Sequence, residues 1–234
     1  MEQIQEEVRQ TLRENVDEKT RLTGRRVFKE EVRFYGVKVS VHRIAREFFP
    51  RVEGLSKRDI FHLCEELWKS GINEEQWVSC DWSFWIKERY EPADFEVFEG
   101  WLHRYVNNWA SCDALCNHTI GELVERFPEY VAKLKIWARS ENRWVRRGAA
   151  VTLIIPARKG LFLDDIFEIA GILLTDPDDL VQKGYGWMLK AASQAHPDEV
   201  FAYVMGKKDS MPRTAYRYAL EKMPKEWRAE AMKK

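Results

Sequence analysis

Two segments of the chain, Ser140-Glu-Asn-Arg-Trp-Val-Arg-Arg-Gly148 and Asp176-Pro-Asp-Asp-Leu-Val-Gln-Lys-Gly184, align without a gap at an offset of 36 residues. In both, a polar helix-capping residue precedes an apolar pair, a polar or basic pair, and a glycine that lets helices approach closely. Trp144 also falls 35 residues after Trp109, which follows the polar pair Asn107-Asn108. A period of this length in a chain of helices is typical of stacked helical hairpins.

The rest of the chain continues the helical pattern. Segments of about 12–18 residues carry apolar side chains three and four positions apart, and no segment alternates apolar and polar residues for long enough to form a sheet. No stretch rich in glycine, serine and proline divides the chain. We therefore predict an all-α fold of about ten to thirteen helices, stacked as helical hairpins into a curved α-solenoid. It is expected to form one domain over residues 1–234, with the clearest repeats at residues 107–192.

Composition excludes several classes of protein. The chain has 234 residues, of which 45% are hydrophobic and 32% charged, so it is neither disordered nor collagen-like. Its longest apolar stretches, such as Ala149–Ala157, are about half as long as a membrane span. The acidic N-terminus lacks the pattern of a signal peptide, and four cysteines without an export signal fit a reducing compartment. These features predict a cytoplasmic protein that does not contact a membrane.

The net charge of zero conceals an uneven distribution along the chain. Residues 133–159 contain eight bases and one acid, whereas residues 161–180 contain six acids and no base. In stacked hairpins such blocks can form one basic and one acidic face, and a basic concave groove suits a nucleic-acid backbone. The alternative is that both blocks are solvated helix faces.

Four residues fall on one stripe when the repeats are superimposed. With Trp109 and Trp144 as phase zero, Asp113 lies at phase 4, Arg147 at phase 3 and Trp187 at phase 7, which is one face of an α-helix. A stripe that only packed the core would rarely contain aspartate and arginine. We therefore predict that the stripe lines a groove. An Asp113–Arg147 salt bridge that joins two repeats is the structural alternative.

These positions carry a family resemblance. The segments that do so are Asn108-Trp-Ala-Ser-Cys-Asp113, Asn142-Arg-Trp-Val-Arg-Arg147, Val181-Gln-Lys-Gly-Tyr-Gly-Trp187, Phe34-Tyr-Gly36, Glu66-Leu-Trp68 and Phe127-Pro-Glu129. They resemble the AlkD-type DNA alkylation-repair family over roughly residues 20–220. The resemblance implies a HEAT-like helical-repeat DNA glycosylase, which hydrolyses the N-glycosidic bond of N3- and N7-alkylated purines without enclosing the base in a pocket.

The resemblance also implies roles for individual residues. Asp113 would be the catalytic carboxylate, and Trp109 and Trp187 would pack against the deoxyribose and backbone of the lesion. Arg147 would contact a phosphate. Further DNA contacts are expected from neighbouring cations, namely Arg143, Arg146 and Lys183. The implied partner is double-stranded DNA that carries 3-methyladenine or 7-methylguanine, and the protein is expected to act as a monomer without a cofactor.

One departure from the family pattern concerns an aromatic residue of the second helix. The corresponding position here is Val27, and the adjacent Phe28 is a candidate to replace the aromatic contact. Since proteins of this fold exist without activity, the alternative function is a non-catalytic repeat module that binds DNA or a protein.

Other chemistries find little support in the sequence. Cys112, Cys116 and His118 could begin a zinc site, but no fourth ligand stands at a usable spacing. The remaining histidines have no serine or cysteine partner that would indicate a hydrolytic triad. Glycine-rich nucleotide-binding loops are also missing from the sequence.

Overall fold

The computed structural model describes residues 1–24 and 26–233. Over these residues the protein is built from helices, and the only β-type pairings are two isolated bridges, Val16–Val37 and Arg33–Ile72. This confirms the predicted all-α helical-repeat fold. None of the described helices combines the length and apolar character that crossing a bilayer demands.

The chain divides into two compact units, Met1–Leu115 and Cys116–Lys234. The first unit contains seven α-helices among its described residues: α1 Glu2–Glu14, α2 Glu18–Gly24, α3 Val41–Phe48, α4 Lys57–Lys69, α5 Asn73–Trp85, α6 Asp94–Arg104 and α7 Trp109–Ala114. Short 3₁₀ turns follow α3 and α5, at Phe49–Arg51 and Lys87–Arg89. The assignment of residues 1–234 to one domain stays a prediction.

The second unit contains nine α-helices among its described residues: α8 Gly121–Arg126, α9 Val131–Trp137, α10 Arg143–Val151, α11 Ile154–Arg158, α12 Leu163–Ile172, α13 Asp179–Ala192, α14 Pro197–Gly206, α15 Arg213–Leu220 and α16 Lys225–Ala231. A 3₁₀ turn at Pro128–Tyr130 precedes α9. Between α7 and α8 the backbone is π-helical over Leu115–Ile120.

The described residues thus form sixteen α-helices, more than the predicted ten to thirteen, because some repeat helices are interrupted. The break between α10 and α11 has a local cause. Pro156 lacks the N–H that would bond the carbonyl of Thr152, and its ring excludes a continuous helix there. The carbonyl of Thr152 instead lies against α8, where a Cβ on Gly121 would approach it to 2.9 Å.

The 36-residue repeat is visible as pairs of equivalent hydrogen bonds. Ser140 Oγ accepts from the backbone N–H of Asn142 at 3.2 Å, and Asp176 Oδ1 accepts from that of Asp178 at 2.9 Å. Asn142 and Asp178 then cap α10 and α13, each through a 2.9 Å bond from the N–H two residues on. The same polar pattern therefore starts both helices, as the sequence alignment predicts.

The core of the first unit is aromatic. Trp68, Trp82 and Trp101 are fully buried, and the rings of Trp68 and Trp101 lie 6.2 Å apart. Trp82 Nε1 donates to the carbonyl of Ala45 at 2.9 Å, which satisfies its polar atom. All three tryptophans therefore belong to the core of the first unit.

The α13–α15 contact leads to a stability prediction. A Cβ on Gly186 would lie 2.8 Å from Tyr218 Cβ, 2.9 Å from the Ala215 carbonyl oxygen and 3.1 Å from Ala215 Cα. Because two of these atoms belong to the backbone and cannot rotate away, we expect Gly186→Ala to lower the free energy of unfolding by about 2 kcal/mol. Urea denaturation measures this difference.

Gly206→Ala is the matched control, because a Cβ on Gly206, which ends α14, would meet nothing within 4 Å. Its effect should be small or slightly stabilising. Equal destabilisation by the two substitutions would contradict the close approach of α13 and α15.

Candidate active site

The start of α7 is fixed by a buried asparagine. Asn108 is fully buried, and its Oδ1 accepts from the backbone N–H of Ser111 at 3.0 Å, which caps the helix. Its Nδ2 donates to Asn73 Oδ1 at the start of α5, at 3.3 Å. Both ends of the Asn108 amide are therefore bonded inside the first unit, which fixes the position at which α7 begins.

Trp109 and Asp113 lie on the less buried face of α7. They are the first and fifth residues of the helix, one turn apart, and both side chains are half-buried. The three residues between them, 110–112, are buried. The π-helical segment follows directly after Ala114, and such segments occur frequently at functional sites. The spacing read from the sequence is thus realised on a helix.

An aromatic ring from outside the helix stacks on Trp109. The ring of Phe28 lies 5.6 Å from that of Trp109 at an interplanar angle of 30°, and 6.3 Å from that of Phe34. Val27, the position aligned with the aromatic residue of the family, is 54% exposed. Phe28 therefore contacts Trp109, and its replacement of the family's aromatic contact stays a prediction.

Phe28 and Phe34 line a cavity of about 810 Å³. Its walls combine aromatic and aliphatic side chains with three cations and two acids; the lining residues are Arg21, Phe28, Lys29, Glu30, Glu31, Val32, Arg33, Phe34, Tyr35 and Ile72. The sequence points to two parts of this segment, Phe28 and the motif Phe34-Tyr-Gly36. The cavity itself depends on the fold of an irregular stretch that has no periodic signal.

Arg147 is built into the second unit. Arg147 belongs to α10, and only 5% of the residue is exposed. Its Nη1 donates a hydrogen bond to the backbone carbonyl of Leu180. A Cβ on Gly184 would lie 3.3 Å from Arg147 Cγ, so the absence of a side chain at Gly184 makes room for this arginine. Arg147 therefore joins α10 to α13, and its contact with a phosphate stays a prediction.

Arg143 and Arg146 also have partners in the second unit. Arg143 Nε lies 2.6 Å from a carboxylate oxygen of Asp178, and Arg146 Nε lies 2.6 Å from one of Asp176. Arg146 Nη1 additionally donates to the carbonyl of Ser140 at 2.9 Å. Both arginines connect one repeat to the next, a role that the sequence analysis did not anticipate.

Lys183 and Trp187 lie one turn apart on α13, and both are half-buried. Lys183 Nζ lies 3.0 Å from Asp179 Oδ2, a pair of spacing i,i+4 whose two side chains are a third or more exposed. Exposed pairs of this type contribute about 0.3–0.5 kcal/mol. Lys183 can therefore exchange this carboxylate for a phosphate at little cost, unlike the more enclosed Arg146.

The basic block and the acidic block of the sequence meet each other. Besides the two arginine pairs, Lys135 Nζ lies 2.8 Å from Asp165 and 2.6 Å from Glu168. At these residues the charges neutralise one another, so the expectation of one basic and one acidic face is wrong for them. The solvated-face alternative is also incomplete, because several of these charges are paired.

The candidate residues are divided between the units. The first unit holds Trp109 and Asp113, and the second unit holds Arg143, Arg146, Arg147, Lys183 and Trp187. Within the second unit, Arg147 of α10 packs against α13, the helix that carries Lys183 and Trp187. A common face for all the candidates stays a prediction.

All four cysteines are buried. Cys112 and Cys116 are fully buried, and in the part of the chain that the structure describes no three His, Cys, Asp or Glu side chains come together as metal ligands would. Burial also raises the pKa of the Cys64 thiol to about 12, which keeps it protonated near neutral pH.

Comparisons with known proteins address the identity of the chain. The family model for DNA alkylation repair enzymes matches residues 8–223. A solved structure described as a predicted DNA alkylation repair enzyme from Enterococcus faecalis superposes with a TM-score of 0.79; it is 18% identical, and the match covers 90% of this chain and 98% of that one. At this identity the likeness shows the fold alone. No curated protein matches the chain significantly. The family match extends over nearly the whole sequence, and the chain therefore belongs to the family of DNA alkylation repair enzymes.

Proposed function

We propose that the protein is a DNA glycosylase that hydrolyses the N-glycosidic bond of N3- and N7-alkylated purines in double-stranded DNA. The chain belongs to the family of DNA alkylation repair enzymes, and we propose that its repair reaction is that of a glycosylase. The observation that carries the proposal is on α7, where Asp113 follows Trp109 by one turn and Phe28 stacks on Trp109. We propose further that it acts as a monomer and without a cofactor.

The chemistry of the substrate suits a single carboxylate. An N3- or N7-alkylated purine is cationic, so it leaves with the bonding electron pair as a neutral base and needs little acid catalysis. The C1′–N bond breaks, positive charge develops on the deoxyribose, and a water oxygen bonds to C1′ while the water gives up a proton. A carboxylate stabilises the developing charge and accepts that proton, as in glycoside hydrolysis. We assign both tasks to Asp113.

The aromatic residues serve the same transition state. The face of an indole ring attracts positive charge, so Trp109 suits a sugar that becomes cationic. The contact with Phe28 restricts the rotation of the Trp109 ring and orients that face before substrate arrives. Trp187 is proposed to pack against the backbone of the lesion. The main phosphate contact is assigned to Lys183, whose ion pair is exposed. Arg147, bonded to Leu180, and Arg143 and Arg146, paired with Asp178 and Asp176, are assigned weaker contributions.

The catalytic assignment predicts the outcome of one substitution. Asp113→Asn keeps the size of the side chain but removes its charge, so the rate of release of 7-methylguanine and 3-methyladenine from methylated DNA should fall about 100-fold or more. Release of the free bases under single-turnover conditions, separated by chromatography, measures the rate.

Asp209→Asn, at an exposed aspartate of the second unit, is the control and should retain the wild-type rate. Wild-type protein that releases neither base would refute the glycosylase proposal for these lesions. An Asp113→Asn protein as active as wild type would refute only the assigned mechanism.

A non-catalytic module that binds DNA or a protein is the second candidate function. The observation that favours a protein partner is the pairing of Arg143 and Arg146 with carboxylates of the next repeat, which reduces the charge available to DNA. A glycosylase releases bases in the excision assay, whereas a non-catalytic module does not. A module that binds DNA should lose affinity steeply as the salt concentration rises, which distinguishes it from one that binds a protein.

The phosphate assignment predicts a change in salt dependence. Lys183→Ala should weaken binding to DNA of any sequence, because a phosphate contact carries no sequence information. It should also reduce the slope of log K against log salt concentration by about 1, since one counterion fewer is released. Fluorescence anisotropy over a range of salt concentrations measures both.

Lys225→Ala, at an exposed position of α16, is the control. Binding that does not depend on salt would contradict a nucleic-acid partner.

A further inference from the structure

Three consecutive polar residues begin α5, and all of them are buried. Asn73 is 3% exposed, Glu74 is 5% exposed and Glu75 is 1% exposed. Burying a carboxylate costs free energy unless hydrogen bonds or charges compensate it. Two adjacent buried carboxylates therefore need specific partners, and the partners of Glu74 are all in one segment of the first unit.

Glu74 accepts hydrogen bonds from three successive backbone N–H groups. Oε2 accepts from Tyr35 at 3.0 Å, and Oε1 accepts from Gly36 at 2.8 Å and from Val37 at 3.3 Å. Hydrogen bonds to a charged acceptor are roughly twice as strong as neutral ones. One side chain thus fixes the backbone of residues 35–37, a stretch that belongs to no helix.

Close contacts with α2 also restrict the backbone of residues 35–37. Gly36 has a φ of +84°, and a Cβ there would lie 2.5–2.8 Å from Arg21. The adjacent Phe34 packs against α2, where a Cβ on Gly24 would approach the Phe34 ring to 2.7 Å. Phe34 in turn lies 6.3 Å from Phe28. Glu74 therefore bonds to the backbone directly after a residue whose ring neighbours Phe28.

The residues on either side of Glu74 also bond to the segment of residues 33–37, and Asn73 bonds in addition to the cap of α7. The Asn73 backbone N–H donates to the Arg33 carbonyl at 2.9 Å, and Asn73 Oδ1 accepts from Asn108, the cap of α7. Glu75 accepts from the Tyr35 hydroxyl at 2.7 Å. Burial and this bond raise the pKa of Tyr35 to about 12, so the hydroxyl remains a donor at neutral pH.

We propose that Glu74 is a positioning residue for the reaction, which acts through the backbone of residues 35–37 to set the stack of Phe28 on Trp109. The first turn of α5 holds both sides of that stack, the Phe34 segment through Glu74 and the start of α7 through Asn73. A misplacement of about 1 Å in an active site can cost about 100-fold in rate. The proposal rests on the proposed glycosylase function, and it assigns a role to a carboxylate that the reaction itself does not use.

The test is Glu74→Gln. An amide replaces one accepting oxygen by a donor that faces a backbone N–H, so at least one of the three bonds is lost. The single-turnover excision rate at saturating enzyme should fall about 10-fold, while the Kd for methylated DNA changes less than about threefold. A structural defect alone would change the folded fraction and not the rate per folded molecule.

A spectroscopic readout follows Trp109 directly. The fluorescence of Trp109 is obtained by subtracting the emission of Trp109→Phe protein, in the wild-type and in the Glu74→Gln background. The loss of contact with Phe28 should move this difference emission to longer wavelength. Phe34→Leu, which leaves Glu74 intact, should produce the same shift and the same loss of rate.

Asp94→Asn is the matched control. Asp94 is a carboxylate of the same unit, 6% exposed, bonded to Lys57 at 2.9 Å and to the backbone N–H of Glu91 at 2.8 Å. Its substitution should lower stability but leave the excision rate per folded molecule and the Trp109 emission unchanged. It therefore separates the loss of a buried carboxylate from the loss of positioning.

Each outcome decides the proposal. A reduced rate with preserved Kd and a shifted Trp109 emission supports it. Wild-type rate or unchanged Trp109 emission in Glu74→Gln overturns it, and so does an equal effect of Asp94→Asn. If the wild-type protein releases no base, the glycosylase proposal fails, and the Trp109 emission alone decides whether Glu74 positions the stack. If Glu74→Gln does not fold, Phe34→Leu decides by the same two measurements.

Discussion

The side-chain caps at helix starts are the interaction on which the rest of this structure depends. Asn108, Asn142 and Asp178 begin α7, α10 and α13, and they stand 34 and 36 residues apart. Helices of six to fourteen residues are marginal alone, so each needs a neighbour to pack against and a cap to fix its first turn. Because the cap determines which residues face the neighbouring helix, it also determines that Trp109 and Asp113 occupy the less buried face of α7.

Ion pairs between neighbouring repeats neutralise much of the charge of the second unit. Arg143 and Arg146 pair with Asp178 and Asp176, so the basic block of one repeat neutralises the acidic block of the next. A charge count along the chain cannot reveal this, since ion pairs form between positions about 30–35 residues apart only after the helices stack. Of Arg143, Arg146 and Lys183, Lys183 has the most exposed ion pair, which favours it for the proposed phosphate contact.

Local signals were predictable, and contacts of irregular segments were not. The caps, the 36-residue offset and the one-turn spacing of Trp109 and Asp113 follow from residue types a few positions apart, and these features are as the sequence indicates. The stacking of Phe28 on Trp109 depends on the path of a non-helical stretch, which has no periodic pattern. The Glu74 bonds to residues 35–37 are of the same kind, since they join positions 37–39 residues apart.

The buried carboxylates at the start of α5 show how stability and precision are related in this fold. An apolar residue at Glu74 would remove the desolvation cost of the charge, yet it would leave three backbone N–H groups without an acceptor. A short backbone segment such as residues 35–37 buries too little apolar surface to hold one conformation by packing alone. Directional bonds to a single charged acceptor restrict it more tightly, because each bond fixes a distance and an angle. In the proposed arrangement the Glu74 bonds fix residues 35–37, and the ring contacts of Phe34 and Phe28 connect that segment to Trp109, so polar bonds and apolar packing together set the geometry of the candidate site.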